Sequence, residues 1–295
     1  MNVQKSLSNK IFDTFNIILL LLFSAAAIFP FIHLLAVSLS SNAEAMSGEV
    51  NLWPKGLTYE AYTFLITNVE FFTALKVSIM RVVLGTGSQL IVSILAGYAL
   101  SKEEKHFRQR TVYAWFLALL IFVQSGLIPF FFVVKMTHLT DNILALVIPF
   151  ASSSWLIILL LNFFRSIPKE MEEAAIVDGA GQWRILWSVF LPVSKPAIAT
   201  ILLLSIIMHW NEFFFGILFM NSSKKYPLAT YISNMVTASQ INQFKPGESM
   251  DKLRSIGLIN LRSAQIFLGA LPILMVYPFL QRYFIKGLVV GSVKG

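Results

Sequence analysis

Six long apolar segments alternate with polar connections along the chain. They cover residues 15–37, 75–100, 112–134, 143–164, 196–219 and 264–284. Each is roughly 20 residues or slightly longer, which is the length a helix needs to cross the hydrocarbon core of a membrane. Only helices and closed barrels satisfy their backbone polar groups in lipid, and runs of this length indicate helices. The pattern predicts an all-α polytopic membrane protein with six transmembrane helices.

The composition agrees with a membrane protein and excludes several other classes. Of the 295 residues, 56% are apolar and only 13% are charged, whereas about a quarter of the residues of an average soluble domain are charged. A soluble domain with so little charge could not cover its surface. The net charge of +8 is better explained by basic residues that fix membrane orientation than by a nucleic-acid partner. The absence of cysteine excludes disulfides and thiolate metal sites.

The distribution of Lys and Arg predicts the orientation. One set of alternate connections, residues 1–14, 102–110, 165–195 and 282–295, holds 13 basic residues. The other set, residues 38–74, 135–142 and 220–263, holds 8. The positive-inside rule places the first set, and therefore both termini, in the cytoplasm. The first apolar run continues to Val37, which is too long for a cleaved signal peptide, so we expect an uncleaved first helix.

The connections divide the chain into three parts. Residues 1–74 form an N-terminal segment with the first helix and an outer loop, residues 75–285 form the core, and residues 286–295 form a cytoplasmic tail. The outer segments 38–74 and 220–263 are long enough to hold local structure. They either cap the bundle or form a docking surface for an external partner.

The cytoplasmic loop 165–195 contains a short predicted helix. Ser166 is a candidate N-cap, Pro168 is tolerated in the first turn, and acidic residues follow at the positive end of the helix. Gly179 and Gly181 then end it after about ten residues.

The remainder of this loop leads back into the membrane. An amphipathic stretch from Trp183 to Phe190 precedes Leu191 and Pro192, just before the fifth apolar run. Ala174 and Ala175 are small residues on the preceding helix, and they allow a partner to approach closely. A short exposed helix held by a glycine turn has the geometry of a lever.

This loop resembles the EAA motif of permease subunits in binding-protein-dependent ABC importers. The resemblance rests on Glu173-Ala174-Ala175, then Gly179, then Val189-Phe190-Leu191-Pro192 at the family spacing. It implies the transmembrane-domain fold of a type I ABC importer and a coupling helix that docks on a separate ATPase subunit. Glu173 would then meet a basic group of the ATPase, and Gly179 would form the turn. The implied ATPase-coupling residues are Glu173, Ala174, Ala175, Asp178, Gly179, Leu191 and Pro192.

Other segments are similar to the carbohydrate-uptake class of these permeases. They are Trp53-Pro54 with Leu57-Thr58 and Tyr62, the run Gly97 to Lys102, Ile128-Pro129, Leu139 to Asn142, and Trp210 to Phe213. The C-terminal end resembles the G-type subunit of maltose transporters, and the whole chain is most similar to permeases paired with lipoprotein binding proteins for larger oligosaccharides or polysaccharide fragments.

The resemblance implies a set of partners in a bacterial cytoplasmic membrane. These are a second permease subunit, two ATPase subunits that bind ATP and Mg²⁺, an extracytoplasmic solute-binding protein and a carbohydrate. No cofactor is expected on this chain. The tail is either a frayed end or, as the resemblance implies, a segment inserted between the ATPase subunits through Lys294 and Gly295.

Three neighbouring polar or aromatic residues lie inside the fifth apolar run: Trp210, Asn211 and Glu212. A carboxylate at that depth should face the bundle interior or a water-filled path. Glu212 is therefore either a buried polar staple between helices or, with Trp210 and Asn211, part of the translocation path. Lys76 and Arg81 lie early in the second run, where we expect them to snorkel to the interface.

The sequence contains no recognisable catalytic constellation. A P-loop, a dinucleotide-binding glycine pattern and a zinc-protease motif are all absent, and the four histidines are dispersed. We therefore expect no enzyme activity in this chain, with ATP hydrolysis in a separate subunit. The alternative from another class is an ion-coupled secondary transporter with Glu212 as the coupling site. The sequence does not identify the sugar.

Overall fold

The computed structural model describes residues 7–123, 126–237 and 257–292, which are helical and contain no strand. The α-helices are α1 (Leu7–Ser38), α2 (Asn42–Ser47), α3 (Glu60–Thr67), α4 (Val69–Ser101), α5 (Arg110–Phe122), α6 (Leu127–Met136), α7 (Ser154–Arg165), α8 (Lys169–Val177), α9 (Gln182–Ile185), α10 (Leu191–Val193), α11 (Lys195–Asn211), α12 (Phe214–Phe219), α13 (Leu228–Thr237) and α14 (Leu258–Ser292). Short 3-10 turns cover Ile143–Leu146, Ile148–Phe150 and Ser223–Lys225, and a π-helix covers Leu186–Phe190.

Three of the six predicted spans are single helices. In the described residues, α1, α4 and α14 are long and apolar enough to cross a membrane, and three bent helix pairs raise the total to six if each pair is one span. Each bent pair contains all or part of one of the remaining apolar runs, the third pair being Gln182–Val193 with Lys195–Asn211. α14 continues to Ser292, so most of the predicted tail 286–295 is helical, while Lys294 and Gly295 lie outside the described residues.

The other three spans are broken, although the apolar pattern predicts a single helix for each. The run 112–134 forms α5 and α6, and Gly126 between them has a φ of 74°. The run 143–164 forms two 3-10 turns and then α7, bent by 44°. The run 196–219 forms α11 and α12, which are separated by Glu212 and Phe213.

The chain divides into two compact units. The first contains residues 1–68 and 235–270. Within it, the side-chain amide of Asn260 donates to the backbone oxygens of Val37 at 2.8 Å and Ser40 at 2.6 Å, which ties the start of α14 to the end of α1. Most apolar side chains of α1 are exposed, so this helix is available to lipid or to another subunit.

The second unit contains residues 69–234 and 271–295, and α4 is its central element. α4 packs against α7 and α11. Gly97 lies at the first of these contacts, where a Cβ would just touch the backbone nitrogen of Leu161 at 3.4 Å. Gly85 permits the second, because a Cβ there would lie 2.5 Å from the imidazole of His209. Small residues at such positions let helix backbones approach closely.

An aromatic cluster connects the broken spans within this unit. Phe130 of α6 lies 5.4 Å from Phe215 of α12, measured between ring centroids, and Phe150 lies 4.8 Å from Phe215. Phe219 stacks on Phe215 at 5.8 Å. Edge-on and offset contacts of this kind add to the apolar burial of the rings. The cluster therefore holds α6, α12 and the Ile148–Phe150 turn in position relative to one another.

Candidate functional site

The loop 165–195 presents one exposed helix, α8, that buries none of its residues. Pro168 occupies the N-cap position. The prediction that Ser166 caps this helix is wrong: its hydroxyl donates to the carbonyl of Phe163 at 2.7 Å, at the end of α7. Ser166 has helical φ and ψ because it still belongs to the last turn of α7, and a side chain in that position cannot reach the N–H groups of α8.

A glycine turn ends α8, as the sequence predicts. Gly179 has a φ of 75°. Its N–H donates to the carbonyl of Ile176 and the N–H of Ala180 donates to the carbonyl of Ala175, both at 2.9 Å. This pair of bonds is the Schellman motif, in which a left-handed residue satisfies the last carbonyls of a helix. Nothing lies within 4 Å of a Cβ built at Gly179, so the position requires glycine for its backbone conformation and not for space.

The second half of the loop packs one face and exposes the other. Ile185, Leu186 and Phe190 are buried, whereas Trp183 and Trp187 are each 66% exposed. This arrangement confirms the predicted amphipathic stretch. The stretch winds partly as a π-helix: the N–H of Leu191 donates to the carbonyl of Leu186.

Pro192 helps to explain this local geometry. It has no N–H, so the α-helical bond to the carbonyl of Ser188 cannot form. Single π-turns are frequent at functional sites. The axis then turns by 81° between Gln182–Val193 and α11.

The end of α4 holds both halves of the loop through Lys102 and Tyr98. The ammonium of Lys102 lies 2.5 Å from the carboxylate of Glu172 on α8. It also lies 3.9 Å from the ring centroid of Tyr98 and 4.6 Å from that of Phe190. The Tyr98 hydroxyl donates to the side-chain oxygen of Gln182 at 2.8 Å. Burial lowers the pKa of Lys102, and the Glu172 carboxylate opposes that shift.

The predicted coupling residues lie together on this loop. Glu173, Ala174, Asp178 and Gly179 are exposed on α8 or its turn, Ala175 is half-buried, and Leu191 and Pro192 lie at the return into α11. Most of these residues are exposed among the residues that the structure describes, and their contact with an ATPase remains a prediction.

A second constellation lies inside the predicted membrane spans. Arg81 is 1% exposed, and its guanidinium contacts Glu212 twice: Nη2 lies 2.6 Å from Oε2, and Nη1 donates to the backbone oxygen at 2.7 Å. The prediction that Arg81 snorkels to the interface is wrong. α4 begins at Val69, so Arg81 lies about 18 Å along the helix, and its partner lies inside the bundle.

Glu212 also organises the break in the fifth span. Its second carboxylate oxygen accepts the N–H of Phe215 at 2.7 Å, at the first turn of α12. One side chain therefore joins α4 to the break and satisfies a backbone N–H in the first turn of the helix that follows. Trp210 is buried and Asn211 is exposed. These contacts are those that a polar staple requires, and a role in the translocation path remains a prediction.

Further buried polar contacts follow the same face of α4, and the sequence analysis did not identify them. The Gln89 side chain donates to the carbonyl of Phe150 at 3.0 Å and accepts a hydrogen bond from Ser205. The Ser78 hydroxyl accepts the N–H of Leu228 at 2.6 Å. The only available signal was their spacing: Ser78, Arg81, Gly85 and Gln89 recur at helical intervals within an apolar run.

Comparison with known proteins gives concordant results. A family model described as "Binding-protein-dependent transport system inner membrane component" matches residues 2–290. Protein LplC of Bacillus subtilis (strain 168) is 34% identical over 288 residues, which are 98% of this chain and 96% of LplC. The polygalacturonan/rhamnogalacturonan transport system permease protein YtcP of the same organism is 34% identical over 289 residues, which are 98% of this chain and 100% of YtcP.

One solved structure resembles the whole chain. It comes from the crystal structure of a bacterial ABC transporter involved in the import of the acidic polysaccharide alginate. The match has a TM-score of 0.86 and 34% sequence identity, and it covers 95% of this chain and 99% of the solved one.

Proposed function

This chain belongs to the family of binding-protein-dependent transport system inner membrane components, and from that premise we propose that it is a permease subunit of an ATP-driven carbohydrate importer. It forms half of the translocation path and holds no nucleotide itself. The observation that carries the proposal is α8: an exposed helix, ended by a glycine turn and held at the end of α4, is suited to docking on a partner. Its fold is that of a type I ABC importer transmembrane domain.

The partners follow from this role. A second permease completes the path, two ATPase subunits bind ATP and Mg²⁺, and an extracytoplasmic solute-binding protein delivers the sugar. Both termini lie in the cytoplasm, as the distribution of basic residues favours. We propose that Lys294 and Gly295 contact the ATPase subunits, as the resemblance of the C-terminal sequence implies. Unchanged sugar-stimulated ATP hydrolysis after deletion of residues 288–295 would remove this last point.

The proposed substrate is an oligosaccharide, and fragments of acidic polysaccharides are the first candidates. YtcP is named for polygalacturonan and rhamnogalacturonan transport, and the solved transporter imports alginate. These names include uronic acid polymers, so oligogalacturonates and alginate oligomers are the ligands to test first on the solute-binding protein.

The ion-coupled alternative has less support. The Glu212 carboxylate contacts Arg81 and accepts the N–H of Phe215, and these are the contacts of a structural staple between α4 and α12. Mechanical coupling requires only a two-state element that ligands bias at both ends.

The function is tested in proteoliposomes that contain both permeases and the ATPase, with the solute-binding protein added. We expect sugar uptake that requires ATP and the binding protein and that persists when a protonophore collapses the proton gradient. Glu173→Gln should lower uptake, because it removes the exposed charge expected to meet the ATPase. Glu170→Gln is the matched control on the same exposed helix. Uptake driven by a proton gradient in the absence of the ATPase would disprove the proposal.

A further inference from the structure

Three elements meet at Lys102, the first residue beyond α4. Its side chain is only 10% exposed, and that of its partner Glu172 is 22% exposed. The ammonium also contacts the faces of two aromatic rings, which adds a cation–π attraction. Exposed ion pairs contribute little because water and salt screen them. A sheltered pair with two aromatic neighbours is held more firmly.

The remainder of the loop is fastened at the same place. Tyr98 lies one turn before Lys102, and its hydroxyl bonds to Gln182 at the start of α9. The Tyr98 ring also packs edge-on against Phe190 at 4.9 Å between centroids. The end of α4 therefore contacts α8 through a charge, and the returning arm of the loop through a hydroxyl and a ring.

These contacts matter because α8 has little apolar packing of its own. None of its residues is fully buried, and Ala175 packs half-buried against the apolar cluster that contains Tyr98 and Phe190. The second ion pair of α8 with this region, Lys169 with Glu103, is open to solvent, since Lys169 is 73% exposed. The Lys102–Glu172 pair is thus the sheltered bond between α8 and the long helix that contains Arg81.

We propose that Lys102 is a positioning residue that latches α8 to the end of α4. Movement of α8 then passes directly into α4 and, through Arg81, to the break in the fifth span. Without the latch, α8 would keep its chain connections to α7 and α9, the half-buried Ala175 and the exposed Lys169–Glu103 pair. This inference rests on the proposed function, since it assumes that α8 is moved by an ATPase.

The experiment measures sugar transported per ATP hydrolysed in the assembled importer. We expect Lys102→Met to retain assembly and basal ATP hydrolysis but to lower this ratio by between about twofold and thirtyfold, the range of typical coupling effects. Lys102→Arg keeps the charge and the ring contacts and should restore most of the ratio. Lys169→Met, which removes only the exposed pair, is the matched control and should leave the ratio unchanged.

A second measurement separates the latch from any folding defect. The chain has no cysteine, so the double variant Lys102→Cys, Glu172→Cys can be joined by a short bifunctional thiol reagent. Before cross-linking we expect the lowered ratio of Lys102→Met; after cross-linking, the same molecules should recover it. A ratio that cross-linking leaves unchanged or abolishes would overturn the latch. Failure of the proposed function would appear differently, as wild-type importer without ATP-dependent uptake.

Discussion

The pairing of Arg81 with Glu212 gives the most specific prediction for the membrane-embedded region. Removing one partner of a buried ion pair destabilises a protein by about 3–5 kcal/mol, because the other charge is left uncompensated. Arg81 is 1% exposed, but it also donates to the backbone oxygen of Glu212. Since this second bond survives in Glu212→Gln, we expect a loss near the lower limit, about 3 kcal/mol.

A double-mutant cycle measures the pair as a unit. Arg81→Gln and Glu212→Gln should each destabilise the importer, and the double variant should lose less than the sum of the two, with an interaction free energy of about 1–3 kcal/mol. The assay is denaturant unfolding of the purified complex in mixed micelles. Lys76→Gln, at an exposed cation on the same helix, should change the free energy of unfolding by less than about 0.5 kcal/mol. Additive effects within about 0.5 kcal/mol would refute the reasoning.

The same variants separate the two interpretations of Glu212. We expect Glu212→Gln to reduce uptake while the importer still assembles. If the double variant recovers both stability and uptake, Glu212 acts as a staple; recovery of stability alone would identify a role in the translocation path.

Two further predictions use glycines with matched controls. Gly85→Ala should destabilise the α4–α11 contact by about 1–3 kcal/mol through its clash with His209, measured by thermal unfolding of the complex. Gly87→Ala meets no atom within 4 Å and should not lower the melting temperature. Equal losses in the two variants would contradict this packing. Gly179→Ala should destabilise the turn after α8 by about 1–2 kcal/mol because the φ of this residue is positive, and it should lower ATP-driven uptake. Gly181→Ala, at a φ of −72°, is the control and should support wild-type uptake.

The sequence predicts those features of the fold that depend on local apolar length. The run 15–37 lies within α1 and the run 75–100 lies within α4, because a long, predominantly apolar series of residues is sufficient to specify a long helix in lipid. The amphipathic loop and its glycine turn are equally local. The breaks were not predicted, although Gly126, Ser153 and Glu212 stand at them. A single glycine or polar residue within an apolar run does not by itself specify a break, and contacts such as the Phe130 cluster determine where the helices end.

Pairings between distant residues could be predicted only in general terms. Glu212 inside a span required a partner or water, but Arg81 is 131 positions away in the sequence. The interpretation from the sequence gave each of the two charges its own access to water. Two opposite charges within predicted spans are expected to pair with each other, and this rule predicts the contact from the sequence alone.

The broken spans also affect how the protein enters the membrane during synthesis. α5 has 13 residues, α6 has 10 and α12 has 6, and each is shorter than the roughly 20 residues that a helix needs to partition into the bilayer alone. Such pieces leave exposed peptide groups that only neighbouring protein or water can satisfy. The two halves of a broken span are therefore expected to insert together. The translocation machinery must hold the first half until the second half has emerged from the ribosome.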